Sequence, residues 1–429
     1  MIARLRQFAS DLAETFWLIP GLMVMAGILA AGWLVALDRQ GLPDGLAERL
    51  SLYDGGATGA RSLLGAVVAS TIGVAGTVFS ITVAALSLAA GQMGPRLLRN
   101  FTRDRGNQLT LGAFLGTFAY GLIVLRSVRT PDEGGFVPQL ALTVAILLAI
   151  ACVLILVFFV GHMASRINVD TVIELVGEDL RAAVERLTLE RPAPPVPPEA
   201  YWRDAAVVVD PRRGYLQQLD EDGLADWAAA HGAAIRLLVR PGHYVFPGGP
   251  IAEVIPPQPE AAEAIRNATA LGPRRVAATD PEFAVRQLVE VAVRALSPGI
   301  NDPLTAISVL DRLGATLCDL AGRHLRTGVA LRGGRPVLVA PPIDYDGLTD
   351  SMFHMIRQNA ARAPAVLIRI LEVLAVTAQC ERDPARRATL RRHADLVLGD
   401  AERTVVNRAD LADVRDRHAA VGTAADGRR

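Results

Sequence analysis

The amino-acid sequence predicts an α-helical membrane protein: four transmembrane helices followed by a cytosolic α+β region with a small β-rich subdomain and a helical C-terminal subdomain. Three observations carry this. Four stretches of 20 to 34 residues contain no charged side chain, and about 20 apolar residues suffice to cross a hydrocarbon core of ~30 Å. Charge is partitioned along the chain, with 11 Arg and 9 acidic residues in positions 1–165 against 33 Arg and 35 acidic residues in the other 264. Beyond residue 165, short β-type patterns and amphipathic helical patterns replace the long apolar runs.

The first uncharged stretch, 17–37, follows Arg4 and Arg6 as a signal peptide would. It is too long for a signal h-region and lacks a small-x-small cleavage site before Asp38, so it reads as an uncleaved anchor. The second stretch is 62–95. On its helix Ser70, Gly73, Thr77, Ser80, Ala84 and Ser87 recur at spacings of three and four, forming one stripe of small or hydroxylated side chains. Such a stripe serves either close helix packing or, in an oligomer, the lining of a pore. The third stretch, 106–125, holds Gly112 and Gly116 at GxxxG spacing, a signal for tight helix pairing. The fourth, 134–161, is rich in Leu, Ile, Val and Phe, reads as lipid-facing, and closes at His162, an interfacial residue.

Arginine placement orients the spans. The loop after span two carries Arg96, Arg99, Arg103 and Arg105 against the single acid Asp104, whereas residues 38–61 hold three Arg and four acids. The positive-inside bias puts the loop between spans two and three, both termini and everything from Arg166 onward in the cytoplasm. Arg96, Arg99 and Arg103 continue the span-two periodicity to the interface, where they either contact anionic headgroups or, around an oligomer axis, form a cytoplasmic mouth that concentrates anions. No Asp, Glu or Arg lies in the middle of a span, which disfavours proton relays and ion-coupled transport.

After the spans, 166–190 reads as a helix continuing from span four, and RPAPPVPP (191–198) as an extended connector. AAVVVDPRRGYLQQLD reads as strand, turn, strand; GLADWAAAHG as a helix ended by Gly232; and the segment through RPGHYVFPGGPIAEV as a strand pair similar in its turns to barrel-sandwich carrier domains. With no lysine to modify, a carrier role is excluded. Residues 280–295 present Glu282, Arg286, Glu290 and Arg294 as a solvated salt-bridge ladder. In SPGINDP (297–303), Asp302 reads as an N-cap before Pro303 at the first helical position; the alternative is a cytosolic site using Asn301 and Asp302. A hairpin at 328–340 and helices near 345–361, 364–380 and 385–406 follow, with residues from His418 frayed. The expected organisation is therefore a four-helix membrane domain (1–165), a helix and Pro-rich connector (166–198), a β-rich subdomain (199–257), a mainly helical subdomain (258–410) and a flexible tail (411–429).

Composition excludes several chemistries. All 44 basic residues are Arg, which removes Schiff-base and Walker lysines. Zero net charge argues against nucleic acid as a partner. Cys152, Cys318 and Cys380 are far apart in sequence and read as reduced core residues. His354 and His393 lack a partner at metal-ligand spacing and read as structural. No HExxH, GxSxG, P-loop or CxxC pattern occurs, so neither an enzyme, a catalytic residue, a metal nor a cofactor is expected.

The chain resembles a family of bacterial inner-membrane proteins of unknown function. The resemblance rests on TVFSITVAALSLAAGQMGPRLLRNFTRDRGNQ, GTFAYGLIVLRSV, RGYLQQLD, LVRPGHYVFPGG, DPEFAVRQLVEVAVRALSPGINDPLTAI and PAVLIRILEVL, and covers most of residues 12–400; residues 323–336 match no family motif. It implies a multi-pass inner-membrane protein of the same architecture and supplies no substrate. Three functions remain open at this point. One is an oligomeric channel or passive pore with a possible anion preference, partnered by the bilayer, by copies of itself and by inorganic ions. The second is a membrane-anchored sensor or scaffold, and the third an enzyme with a site around Asn301 and Asp302.

Overall fold

The computed structural model describes residues 16–40, 53, 56–93, 104–133, 135–166, 168–275 and 281–427. Contacts divide the chain into two compact units: among the described residues, a membrane unit that holds 16–91 and 104–168 and a C-terminal unit that holds those from Val169 onward.

Among the described residues the membrane unit holds four helices long and apolar enough to span: α1 (Leu18–Gln40), α2 (Ala57–Met93), α3 (Arg105–Ser127) and α4 (Gln139–Arg166). Each runs beyond its uncharged stretch at one end or both: α1 and α4 at their C-terminal ends, α2 at its N-terminal end and α3 at both. An unpaired backbone amide costs too much in hydrocarbon for the helix to stop inside it. The expected glycine pairing joins α3 to α1. A Cβ on Gly27 would lie 2.5 Å from the Gly116 carbonyl oxygen, and one on Gly112 would meet Met23 and, at 3.2 Å, the Pro20 backbone. Ala31, Leu64, Tyr120, Val124 and Leu142 form one apolar core, and Val78, Leu111, Phe114, Cys152 and Phe159 another. Asp38, beyond the expected end of span one, caps α4 by accepting from the Leu140 and Ala141 amides at 3.1 and 3.0 Å. The Tyr120 hydroxyl donates to the Ala141 carbonyl at 2.8 Å. Leu147, Ile150, Val153, Leu154 and Val157 leave α4 with a broad exposed apolar face.

In the C-terminal unit α5 (Val169–Leu187) is a separate helix, since Asn168 is not helical; the expected continuation of span four is corrected here. Its buried face of Val172, Ile173, Val176, Leu180 and Val184 has the 3.6-residue period. Strand β1 (Thr188–Leu189) pairs with β8 (His324–Leu325). A five-stranded sheet runs β2 (Ala206–Asp210), β6 (Gly249–Ile255), β4 (Ala234–Leu237), β10 (Arg335–Val339) and β9 (Val329–Arg332), with β10 parallel to β4. A three-stranded sheet orders β5 (Tyr244–Val245), β3 (Gly214–Leu219) and β7 (Thr269–Gly272). Helices α6 (Glu221–Ala230) and α7 (Ala261–Ala268) cover the larger sheet through Leu224, Ala228, Ile235, Val254, Ile265 and Leu338.

Three expectations change. β2 and β3, consecutive in sequence, enter different sheets, and a mixed sheet with helices packed on it replaces the barrel-sandwich analogy. The hairpin β9–β10 turns at Gly333 and Gly334, both at positive φ as a two-residue turn requires. It completes the sheet begun by β2, so the β-rich part is not bounded at residue 257. Finally, Glu282 is not on a solvated ladder: it is buried, pairs with Arg286 at 2.8 Å, and also meets Arg240 from the β-rich part.

The rest is helical: α8 (Pro281–Ala295), α9 (Pro303–Leu320), α10 (Tyr345–Asn359), α11 (Pro364–Cys380), α12 (Pro384–Thr404) and α13 (Arg408–Ala425). The last corrects the expected flexible tail. Val414 and Val421 are fully buried, Asn407 caps the helix by accepting from the Ala409 amide at 2.9 Å, and His418 pairs with Asp395 at 2.7 Å.

Candidate functional site

Helix α2 presents two unlike faces. Leu64, Val68, Thr71, Ala75, Val78, Thr82 and Ala85 are buried against the other spans, and the buried Thr71 and Thr82 hydroxyls donate to the Val67 and Val78 carbonyls at 2.8 Å. Every member of the sequence-derived stripe lies on the opposite side. Ser70, Gly73, Thr77, Ser80, Ala84 and Ser87 are all exposed, so they form one surface and play no part in packing the four spans of their own chain. A Cβ on Gly65, Gly73 or Gly76 would meet nothing within 4 Å.

The hydroxyl protons on this surface are satisfied within the helix. Ser70 donates to the Val67 carbonyl at 3.1 Å, Thr77 to Gly73 at 3.2 Å and Ser80 to Gly76 at 2.9 Å. Their oxygen lone pairs therefore face outward, able to accept from water or to coordinate a cation. Ile72, Phe79, Ile81, Val83 and Leu88 flank the stripe as exposed apolar side chains suited to lipid. The mouth residues Arg96, Arg99 and Arg103 lie outside the described residues.

At one end of α3, Asp104 caps the helix through the Gly106 amide at 2.8 Å, and its second oxygen meets His162 Nε2 at 2.6 Å. His162, read from the sequence as a lone interfacial residue, thus has a carboxylate partner 58 positions away. Gly106 admits it, because a Cβ there would lie 2.6 Å from the same nitrogen.

In the C-terminal unit the SPGINDP loop behaves as a helix connector. The Asp302 carboxylate accepts from the Thr305 amide at 3.1 Å and the Thr305 hydroxyl at 2.6 Å, which holds its pKa below the usual carboxylate range. Asn301 has φ of 49°, a left-handed conformation that asparagine tolerates, and its backbone N–H donates to the Ser297 carbonyl at 2.9 Å. The two residues are neighbours in a turn, each with a structural task.

Two groupings are completed only by the fold. Asp350 and His354 on α10 meet His393 of α12, which corrects the reading of both histidines as lacking a ligand-type partner. The signal available was Asp350 four positions before His354, one helical turn on the same face. Cys318 and Cys380, 62 positions apart, influence one another: burial first, then Cys380, pushes the Cys318 thiol up to about 11, so it stays protonated at neutral pH, and Cys380 is exposed, which corrects its reading as a core residue.

With this geometry in view, the comparison with protein families is decisive on kinship. A model described as predicted membrane protein (DUF2254) matches residues 13–376. The chain belongs to that family. It is similar to the uncharacterized protein MT1328 of Mycobacterium tuberculosis (strain CDC 1551 / Oshkosh), at 32% identity over 442 residues that cover 99% of this chain and 82% of the relative. The uncharacterized protein Mb1321c of Mycobacterium bovis (strain ATCC BAA-935 / AF2122/97) matches to the same extent. No solved structure matches. Family membership makes this a membrane protein related to bacterial proteins and assigns no activity.

Proposed function

We propose that this protein is an oligomeric channel or passive pore of the bacterial inner membrane, with α2 around the axis and the C-terminal unit in the cytoplasm as its assembly or gating part. One observation carries the proposal: the complete stripe of Ser70, Gly73, Thr77, Ser80, Ala84 and Ser87 is turned away from its own bundle. Helix-interior glycine is disfavoured relative to alanine by ~1 kcal/mol, and among the described residues no close approach at Gly73 or Gly76 offsets this. Steps of three and four average 3.5 residues, the period of a helix seam that packs against a copy of itself. A neighbouring subunit at the edge of the stripe and water at its centre account for small residues and hydroxyls together.

Selectivity divides between two places. The stripe's carbonyl-bonded hydroxyls turn lone pairs outward and give no preference for anions. An anion preference would come from Arg96, Arg99 and Arg103 at the cytoplasmic mouth, where several copies would raise the local anion concentration. The same arginines support a cytoplasmic placement of both termini.

The test is conductance. Purified protein in liposomes passes inorganic ions, Ser80→Leu blocks the flux by lining a narrow pore with apolar bulk, and Arg99→Glu lowers anion preference with assembly intact. Absence of flux in every form would overturn the channel and leave a membrane-anchored sensor or scaffold as the better account.

A further inference from the structure

The junction of α10 and α12 contains a buried imidazole that its protein surroundings do not satisfy. His393 is fully buried, and neither of its ring nitrogens has a hydrogen-bond partner; Nδ1 of His354 is buried and unpartnered too. Buried polar groups are almost always bonded, so the buried Nε2 of His393, which faces a carboxylate oxygen without forming a hydrogen bond to it, calls for a cause. Asp350 Oδ1 stands 3.1 Å from His354 Nε2 and 3.1 Å from His393 Nε2.

Those spacings fit an ion. Ligand atoms about 2.1 Å from a tetrahedral metal stand about 3.4 Å from one another, and here one donor atom from each of the three residues lies within 4.8 Å of the others. We propose that Asp350, His354 and His393 form a three-ligand site for a divalent first-row transition-metal ion, with water completing the coordination. Two imidazoles and one carboxylate favour such ions over Mg²⁺ and Ca²⁺, which prefer all-oxygen shells.

The surroundings suit the role. Phe353 packs at 5.5 Å from the His393 ring and shields that side from water. Arg392 donates to Asp350 Oδ1 at 2.6 Å, the kind of outer hydrogen bond that orients a ligating carboxylate. Its partly exposed guanidinium now supplies the positive charge that the ion would bring, and can turn to solvent. A bound ion ties α10 to α12, so metal and folding of the helical part are thermodynamically linked.

The experiment uses full-length protein in detergent, purified through a tag without histidine and stripped with a chelator. It is titrated with Zn²⁺ by calorimetry and with Co²⁺ by visible absorbance. We expect one ion per chain, ligand-field bands of low-coordinate Co²⁺, a melting temperature that rises with Zn²⁺ concentration, and no competition by Mg²⁺. His393→Gln alters a buried position and can fail to fold. The decisive variants are therefore His354→Gln and Asp350→Asn at partly exposed positions: each should keep the metal-free melting temperature and weaken binding tenfold or more. Saturable binding of equal affinity in wild type and His354→Gln would assign the metal to the other histidines and overturn the proposal, as would no saturable binding by the wild-type chain.

Discussion

Gly27 and Gly73 are both helix-interior glycines in membrane spans, and replacing each by alanine should have opposite effects. At Gly27 the added Cβ falls 2.5 Å from the Gly116 carbonyl oxygen and 3.2 Å from its carbon. Both are backbone atoms of the partner helix, so relief requires α1 and α3 to separate by several tenths of an ångström. Inserting a methyl into such a contact costs about 1–3 kcal/mol. At Gly73 nothing lies within 4 Å. Both substitutions share the propensity gain of ~1 kcal/mol, which cancels in the comparison, so Gly27→Ala should be about 1–3 kcal/mol less stable than Gly73→Ala. The assay is equilibrium unfolding of the full-length protein in mixed micelles with rising SDS, followed by tryptophan fluorescence, at dilution sufficient to keep protomers apart. Equal stability of the two variants would refute the assignment of Gly27, Gly112 and Gly116 to a tight helix contact.

Other consequences are open to direct measurement. Asp302→Ala should lower stability by ~1 kcal/mol through loss of the cap on α9, while Asp302→Asn, which keeps an acceptor for the Thr305 amide, should be nearly silent; calorimetric melts read both, and a loss of function without loss of stability would restore a ligand-binding role to the loop. Burial alone would raise the Glu282 carboxyl, but Arg286 and Arg240 hold it below the ordinary glutamate value. The folded chain therefore binds fewer protons than the unfolded chain below about pH 4.3, so this contribution is present above that pH and lost as pH falls through the depressed folded value. Glu282→Gln should flatten the acid limb of the melting profile, and an unchanged limb would contradict the assignment. Val421→Ala removes two buried methyl-sized groups at ~0.8 kcal/mol each plus a small cavity, about 2 kcal/mol in total; a silent substitution would show that α13 is not packed.

The spans were legible because charge is absent over lengths that only a bilayer crossing explains, and they extend little beyond those gaps. The outward direction of the α2 stripe was not legible. In a lipid-facing helix both faces are apolar, so periodicity identifies a stripe without saying which side the bundle occupies. Asp38 on the α4 terminus, Asp104 with His162, and β10 alongside β4 all join residues far apart in sequence, and no local pattern encodes such pairings. Helix α13 carries little apolar periodicity because its buried side is sparse, with Val414, Val421 and Ala424 buried while Ala409, Ala412, Ala419 and Ala420 are exposed. At SPGINDP local chemistry was sufficient: an Asp-Pro pair specifies a cap wherever a helix follows. Of the cluster on α10 and α12, the sequence displays Asp350 and His354 one turn apart, but His393 arrives only through the packing of two helices.

If α2 faces an aqueous axis, as proposed, its stripe is open to water. Single cysteines at Thr77, Ser80 and Val78, placed in a chain whose Cys152, Cys318 and Cys380 have been replaced, can be exposed in intact membranes to a water-soluble, membrane-impermeant thiol reagent. Labelling is expected at Thr77 and Ser80 and none at Val78, which is 1% exposed within its own bundle. Protection of Thr77 and Ser80 together with Val78 would place the stripe against lipid or a neighbouring helix and contradict the pore.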